Sequence, residues 1–200
     1  MRLRAPALLM FTLLTALPAL VAMSGCAARR PAADSHEIFD EQTGNTLSVV
    51  EKPLIFARER SDVAAYARDY ATLVAVEVDH SGAFNDYLLL YRWSTVDPRM
   101  SPEPDPAQGE LRIVTDGRAI ILTPLAVMPV DLSRRRILHL PDHGDVIAHA
   151  YAVDAATLRF IATSGKISVR MPQEPLDMPF GIWQDGRPAL EQFLGRTSAP

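Results

Sequence analysis

Val74, Val76 and Val78 alternate with Ala75, Glu77 and Asp79, the period-two pattern of a strand that buries one face. His80-Ser81-Gly82-Ala83 reads as a turn, and Tyr87 to Ser94 returns as a second strand, so the stretch predicts a β-hairpin. Tyr87, Leu89, Tyr91 and Trp93 share one face of the second strand, and Leu88 and Leu90 lie on the other. A strand apolar on both sides is expected to be central in its sheet. The aromatic row has two readings, a platform for a sugar or peptide and ordinary cross-strand packing, and the second is favoured because buried aromatics are common in sandwiches.

The same pattern continues on both sides. Thr46 to Val50, Leu54 to Ala57, Leu111 to Thr115, Ala119 to Thr123, Ile137 to Leu140, Val146 to Val153, Lys166 to Met171 and Phe180 to Trp183 are short apolar or alternating runs separated by turn residues. Asp116-Gly117 between two of them is a strong hairpin signal, since both residues tolerate positive φ. Val96 to Gly109 carries Pro98, Pro102, Pro104 and Pro106 and is expected to be an extended loop. Three stretches read as helical. Ser61 is placed to cap a turn over Asp62 to Arg68; Asp154 caps a helix with Leu158, Ile161 and Ala162 on one face, ending at Gly165; and a helix after Asp185 carries Leu190, Phe193 and Leu194 and ends at Gly195. The balance predicts a mainly β chain: a single antiparallel β-sandwich-like domain over 44–196 with two or three short appended helices, followed by a tail at 197–200. A more evenly mixed α+β arrangement is the alternative.

The first residues follow a different logic. Arg2 and Arg4 precede an apolar run from Ala5 to Ala22, which closes on Met23-Ser24-Gly25-Cys26, the order of an export signal. Ser24-Gly25-Cys26 resembles the lipobox of bacterial lipoproteins, with Met23 where that family usually has Leu. The resemblance implies a signal peptide over 1–25, cleavage before Cys26, and diacylglycerol on the Cys26 sulfur with an acyl chain such as palmitate on the new amino group. Two chains suffice for stable anchoring. Ala27 stands where an Asp would imply retention in the inner membrane, so the resemblance points to the outer membrane, facing the periplasm. An ordinary signal peptide cut after Ser24, leaving Cys26 a free thiol, and a short transmembrane anchor are the other readings. Residues 26–43 then form a lipidated tether: Ala27 to Gln42 has no apolar period and few bulky side chains apart from Ile38 and Phe39, so a flexible spacer is expected.

Charge and cysteine count narrow the classes. The chain carries a net charge of −4, and losing Arg2 and Arg4 with the signal makes the mature part more acidic, so nucleic acid is not an expected partner. With a single cysteine no disulfide forms within the chain, and the domain must stand on its hydrophobic core.

Candidate chemistry is sparse. The chain contains no His-Glu-x-x-His, no Gly-x-Ser-x-Gly and no phosphate loop, and its only thiol is at the lipidation position. His139, Asp142, His143, Asp145 and His149 gather within eleven residues around a turn and offer imidazole and carboxylate ligands for zinc or copper, although their spacing matches no standard ligand set. A solvated turn is the favoured reading of them, and no cofactor is expected. Arg134, Arg135 and Arg136 in a loop would suit anionic lipid, cell-wall carboxylates or an acidic partner, against the plainer reading of a solvated turn. These features favour a lipid-anchored cell-envelope protein with a non-catalytic binding or assembly role, held to the membrane through Cys26 and meeting an envelope protein or cell-wall partner. A periplasmic metal-dependent hydrolase using His139, His143 and His149, and a small-ligand or lipid carrier, are the alternatives.

Overall fold

The hairpin of alternating valines is the spine of the domain. A computed structural model describes residues 35–97, 109–133, 137–138, 146–171 and 178–197. Cys26, Arg134, Arg135, Arg136, His139, Asp142, His143 and Asp145 lie outside the described residues, as does most of the proline-rich loop. The chain is mainly β: the described residues form an open antiparallel sheet of ten strands with three short helices. The strands are β1 (Ser35–Asp40), β2 (Asn45–Val50), β3 (Leu54–Glu59), β4 (Arg68–His80), β5 (Ala83–Ser94), β6 (Leu111–Thr115), β7 (Arg118–Leu122), β8 (Ile147–Val153), β9 (Ile167–Arg170) and β10 (Phe180–Gln184). The helices are α1 (Val130–Ser133), α2 (Ala155–Thr163) and α3 (Arg187–Thr197). Among the described residues no helix is long and apolar enough to cross a membrane.

β4 pairs with β5 along its whole length, from Asp69↔Ser94 to His80↔Ala83, and β8 continues the sheet beyond β5. On the other side of β4 two strands lie end to end: β2 pairs its second half (Val49↔Val76) and β3 its first half (Leu54↔Leu73). Between them the chain bends at Glu51-Lys52-Pro53, where proline has no N–H to continue a ladder. The sheet therefore forks. One branch ends at β1; the other runs β3-β10-β9-β6-β7. The far end of this branch returns towards β8, where Leu125 N–H donates to the Ala150 carbonyl (2.8 Å) and the Tyr151 hydroxyl donates to the Gly109 carbonyl (2.6 Å).

Part of the core lies within that curl, and Leu47, Val49, Val74, Val76, Val78 and Leu89, on the opposite phase of β2, β4 and β5, are buried as well. Leu54, Phe56, Leu73, Leu88, Leu90, Leu111, Ile113, Tyr151, Val169 and Phe180 are buried, each a residue on the inward phase of its strand. Asp154 caps α2 by accepting from Thr157 N–H (2.7 Å), and α2 and α3 add Leu158, Ile161, Leu190, Phe193 and Leu194 to the core.

Several local expectations are corrected. Ser35 to Asp40, read as part of a spacer, form β1 on the edge of β2; a backbone ladder orders them, with Ile38 packed on the core and Asp40 buried. Asp62 to Ala67 form a turn and not a helix, because Arg60 closes it from both sides: its carbonyl accepts from Val63 and Ala64, and its N–H donates to Ala67. Ile137 and Leu138 are not in a strand. α2 ends on Ser164 in extended backbone; the Gly165 and Lys166 N–H groups donate instead to Asp116 (2.9 and 2.8 Å), which ties the β6–β7 turn to the α2–β9 connection. That turn is the expected one, with φ of +47° at Asp116 and +79° at Gly117. α3 runs through Gly195, and Arg196 in its last turn donates to Ser35 Oγ (2.7 Å).

Candidate functional site

Along β3, β10, β9, β6 and β7, and at the Tyr70–Trp93 end of β4 and β5, one phase of residues is buried and the other open, whereas further along β4 and β5 both phases are buried, Val74, Val76 and Leu89 included; the antiparallel register fixes which side chains become neighbours. Opposite the buried Phe56, Phe180, Val169 and Ile113, the open phase runs in two rows. The first passes from Trp93 through Tyr70, Ala57, Gly181 and Ser168 to Val114 and Ala119. The second, parallel to it, holds Arg68 opposite Glu59 at one end and Arg170, Arg112 and Ile121 at the other.

Aromatic side chains gather at the β4–β10 end. Tyr70 and Trp93 stack with centroids 4.0 Å apart and planes 7° from parallel, and Trp183 meets Tyr70 edge-on at 6.1 Å. The Arg68 guanidinium lies 4.9 Å from the Trp183 ring centre and reaches Glu59 at 3.4 Å. Trp183 is nevertheless 57% exposed, since β10 lifts it from the sheet at a register shift between Ile182 and Gln184. Gly181 leaves open space beside it, with no atom within 4 Å of where a Cβ would stand.

Arginines mark the other end. Arg112 and Arg170 are direct cross-strand partners. Glu110 lies 3.9 Å from Arg112, too far for a short ion pair, and Arg112 Nε is buried without a hydrogen-bond partner among the described residues. This face thus carries an apolar ring surface at one end and planar guanidinium donors at the other. The first suits the C–H face of a flat ligand, the second its carboxylates.

Beneath the aromatic end is a buried ion cluster. Asp69 accepts from Arg58 (2.6 Å), Arg60 (3.2 Å) and Ser94 Oγ (2.7 Å), while Arg60 also holds Asp62 (3.0 Å). Arg58 packs over the Phe180 ring at 4.3 Å. These contacts fix β3, β4 and β5 at the point where Tyr70 and Trp93 project from the opposite face.

His149 is the one candidate ligand among the described residues, and it occupies a seam. It sits on the inward phase of β8 opposite Leu90, and the Gly109 backbone covers its ring; a Cβ at Gly109 would come within 2.9–3.0 Å of the ring atoms. Burial, and secondarily the Arg92 charge, holds its pKa below the usual histidine value. Among the described residues no group of three or more His, Cys, Asp or Glu side chains is placed to hold a metal ion.

The sequence pattern had set Trp93 on an aromatic strand face but had not joined it to Tyr70 or Trp183. Nothing local links these residues. The available signal was that Tyr70, Arg112, Arg170 and Trp183 are bulky or charged residues in or beside β-type runs, and only the strand order brings them together. Comparison of the chain with family models, with curated proteins and with solved structures finds no match.

Proposed function

We propose that this chain is a lipid-anchored protein of the cell envelope, tethered through Cys26 to the outer membrane on its periplasmic side, and that its β domain binds an envelope partner without catalysing a reaction. The observation that carries the binding half is the open sheet face bearing Trp183 at 57% exposure beside Tyr70, Trp93 and a line of arginines. A large aromatic ring held rigidly at the surface offers contact area at little entropic cost, which is why such rings dominate binding surfaces. The anchoring half rests on Ser24-Gly25-Cys26 behind an apolar run.

One experiment in intact cells addresses both halves. A fatty-acid probe should label the wild-type chain and not Cys26→Ser. A photoreactive residue at position 183 should give a discrete envelope adduct, and one at Phe84, which is 62% exposed on the β4–β5 hairpin, should not. Equal labelling of Cys26→Ser would contradict the anchor, and equal adducts from both positions would contradict the assigned face.

A further inference from the structure

We infer that Ser48, Glu77 and Asp86, in one row across β2, β4 and β5, form a binding site for a primary ammonium group. The inference goes beyond the envelope reading above and does not rest on it: the row lies towards the opposite ends of β4 and β5 from Tyr70 and Trp93, and it is independent of the anchor.

Three observations carry it. The first is register. Ser48 pairs with Glu77, and Glu77 with Asp86, so the three side chains leave one face of the sheet as direct neighbours, with roughly 5 Å between successive Cβ atoms. Glu37 continues the row beyond Ser48, and Val153 continues it beyond Asp86, with Asp154 next in the chain at the head of α2. The adjacent row is Phe39, Thr46, Asp79 and Phe84. Neither row contains a lysine or an arginine. On the other side, Arg196 of α3 is engaged with Ser35 Oγ and acts on neither Glu77 nor Asp86.

The second observation is that some of these acceptors are occupied and others are not. Asp79 accepts from the Gly82 N–H (2.6 Å), and Asp154 from the Thr157 N–H (2.7 Å). Glu77 is 8% exposed and, like Ser48, makes no side-chain hydrogen bond among the described residues. Asp86 Oδ1 is buried without a partner among them as well. A carboxylate covered to this degree normally has a donor or a cation beside it. The charges that act here are all acidic: Asp86 and Asp79 on Glu77, and Asp154 on Asp86. The row therefore presents acceptors that the described chain leaves without a donor.

The third observation is the number and kind of acceptors, which selects the ligand. A primary ammonium carries three N–H donors on one small charge, one each for Glu77, Asp86 and the Ser48 hydroxyl. A calcium ion takes about six to eight oxygens and magnesium an octahedron of about six. Among the described residues no group of three or more His, Cys, Asp or Glu side chains is placed to supply them. The positive charge also relieves the repulsion between Glu77 and Asp86. Burial, with Asp86 and Asp79 adding to it, keeps a proton on Glu77 up to about pH 7, and the ammonium must displace that proton. Its affinity therefore rises with pH through that value.

The test uses a chain begun at Ala27, which carries no lipid and whose unit from Ala33 onward is compact by itself. Melting curves and NMR titrations at pH 8 compare butylammonium with tetramethylammonium, which has the charge but no N–H, at equal ionic strength. Butylammonium should raise the melting temperature and shift the Ser48, Glu77 and Asp86 amide signals, with an affinity at least tenfold weaker at pH 5.5. Tetramethylammonium should do neither. Glu77→Gln and Asp86→Asn, each checked for folding by circular dichroism, should weaken binding at least tenfold, and Ser48→Ala by less. Nα-acetyl-lysine methylamide separates the two sources of such a group: a free amine as the natural ligand predicts that it binds at least tenfold more weakly than butylammonium, and a lysine of a protein predicts equal binding. No binding by the folded wild-type chain at pH 8, equal effects of the two ammonium ions, or unchanged affinity in Glu77→Gln would overturn the inference. Calcium acting at lower concentration than butylammonium, and lost in the same variants, would overturn it in favour of a metal site. None of these results bears on lipid labelling at Cys26 or on the adduct from position 183, so this inference and the envelope reading fail separately.

Discussion

Glu77 shows what alternation tells and what it leaves out. The valine pattern places Glu77 on the face opposite Val76, and it is there; but that face is also covered, and Glu77 is only 8% exposed. Its cross-strand partner is Asp86, whose Oδ1 is itself buried without a hydrogen-bond partner among the described residues. Asp79 lies two residues along β4, and Asp154 at the head of α2 faces Asp86. Burial, with the Asp86 and Asp79 charges adding to it, raises the Glu77 pKa from 4.5 to about 7. Burial, and secondarily Asp154, raises Asp86 as well. The folded chain thus holds a proton that the unfolded chain releases between these values. Stability from this site is greatest below pH 4.5 and falls as the pH climbs through 7. Glu77→Gln should therefore stabilise the chain by about 1–3 kcal/mol at pH 8 and by almost nothing at pH 4. Thermal melts at the two pH values check this, and an equal shift at both would mean that the carboxyl is not protonated in the folded chain.

At the scale of elements, hairpins were legible because their determinants are adjacent. Asp116-Gly117 states its own turn, and Val74 to Ser94 states its own pairing. The fork at β4 was not legible. It arises because β2 and β3 share one long neighbour, which depends on contacts between residues far apart in sequence. β1 was missed for a related reason: an edge strand ordered mainly by its ladder needs little apolar periodicity. The cluster of Asp69, Arg58 and Arg60 is likewise non-local, and its removal gives a clear expectation. Asp69→Ala leaves two guanidiniums buried at 7% and 8% exposure with a shared acceptor gone, so it should cost about 3–5 kcal/mol. Asp69→Asn keeps an acceptor oxygen and should cost less. Chemical denaturation of the two variants measures the difference; a loss under 1 kcal/mol for Asp69→Ala would show that its partners are satisfied elsewhere.

Over the whole molecule, the candidate site belongs to no single segment. Its aromatic end comes from β4, β5 and β10 and its arginine end from β6 and β9. A sequence reading that looks for clustered residues turns instead to Arg134-Arg135-Arg136 and to the histidines around 139–149, because proximity along the chain is all it has. The fold reorders the chain so that position 93 neighbours 70, and 112 neighbours 170. The surface made this way lies on the phase opposite the buried Phe56, Phe180, Val169 and Ile113. Binding and stability should therefore separate.

The most direct measurement compares two exposed aromatic residues in different parts of the sheet. Trp183 is 57% exposed on the open face, and Phe39 is 59% exposed on β1. Each is changed to alanine in a chain begun at Ala27, which carries no lipid, and co-sedimentation with isolated cell envelopes is measured beside the melting temperature. Trp183→Ala should reduce co-sedimentation at least tenfold while changing stability by no more than about 1 kcal/mol. Phe39→Ala should leave co-sedimentation unchanged. Equal losses of envelope binding in the two variants, or no loss in either, would contradict the assignment of binding to this face.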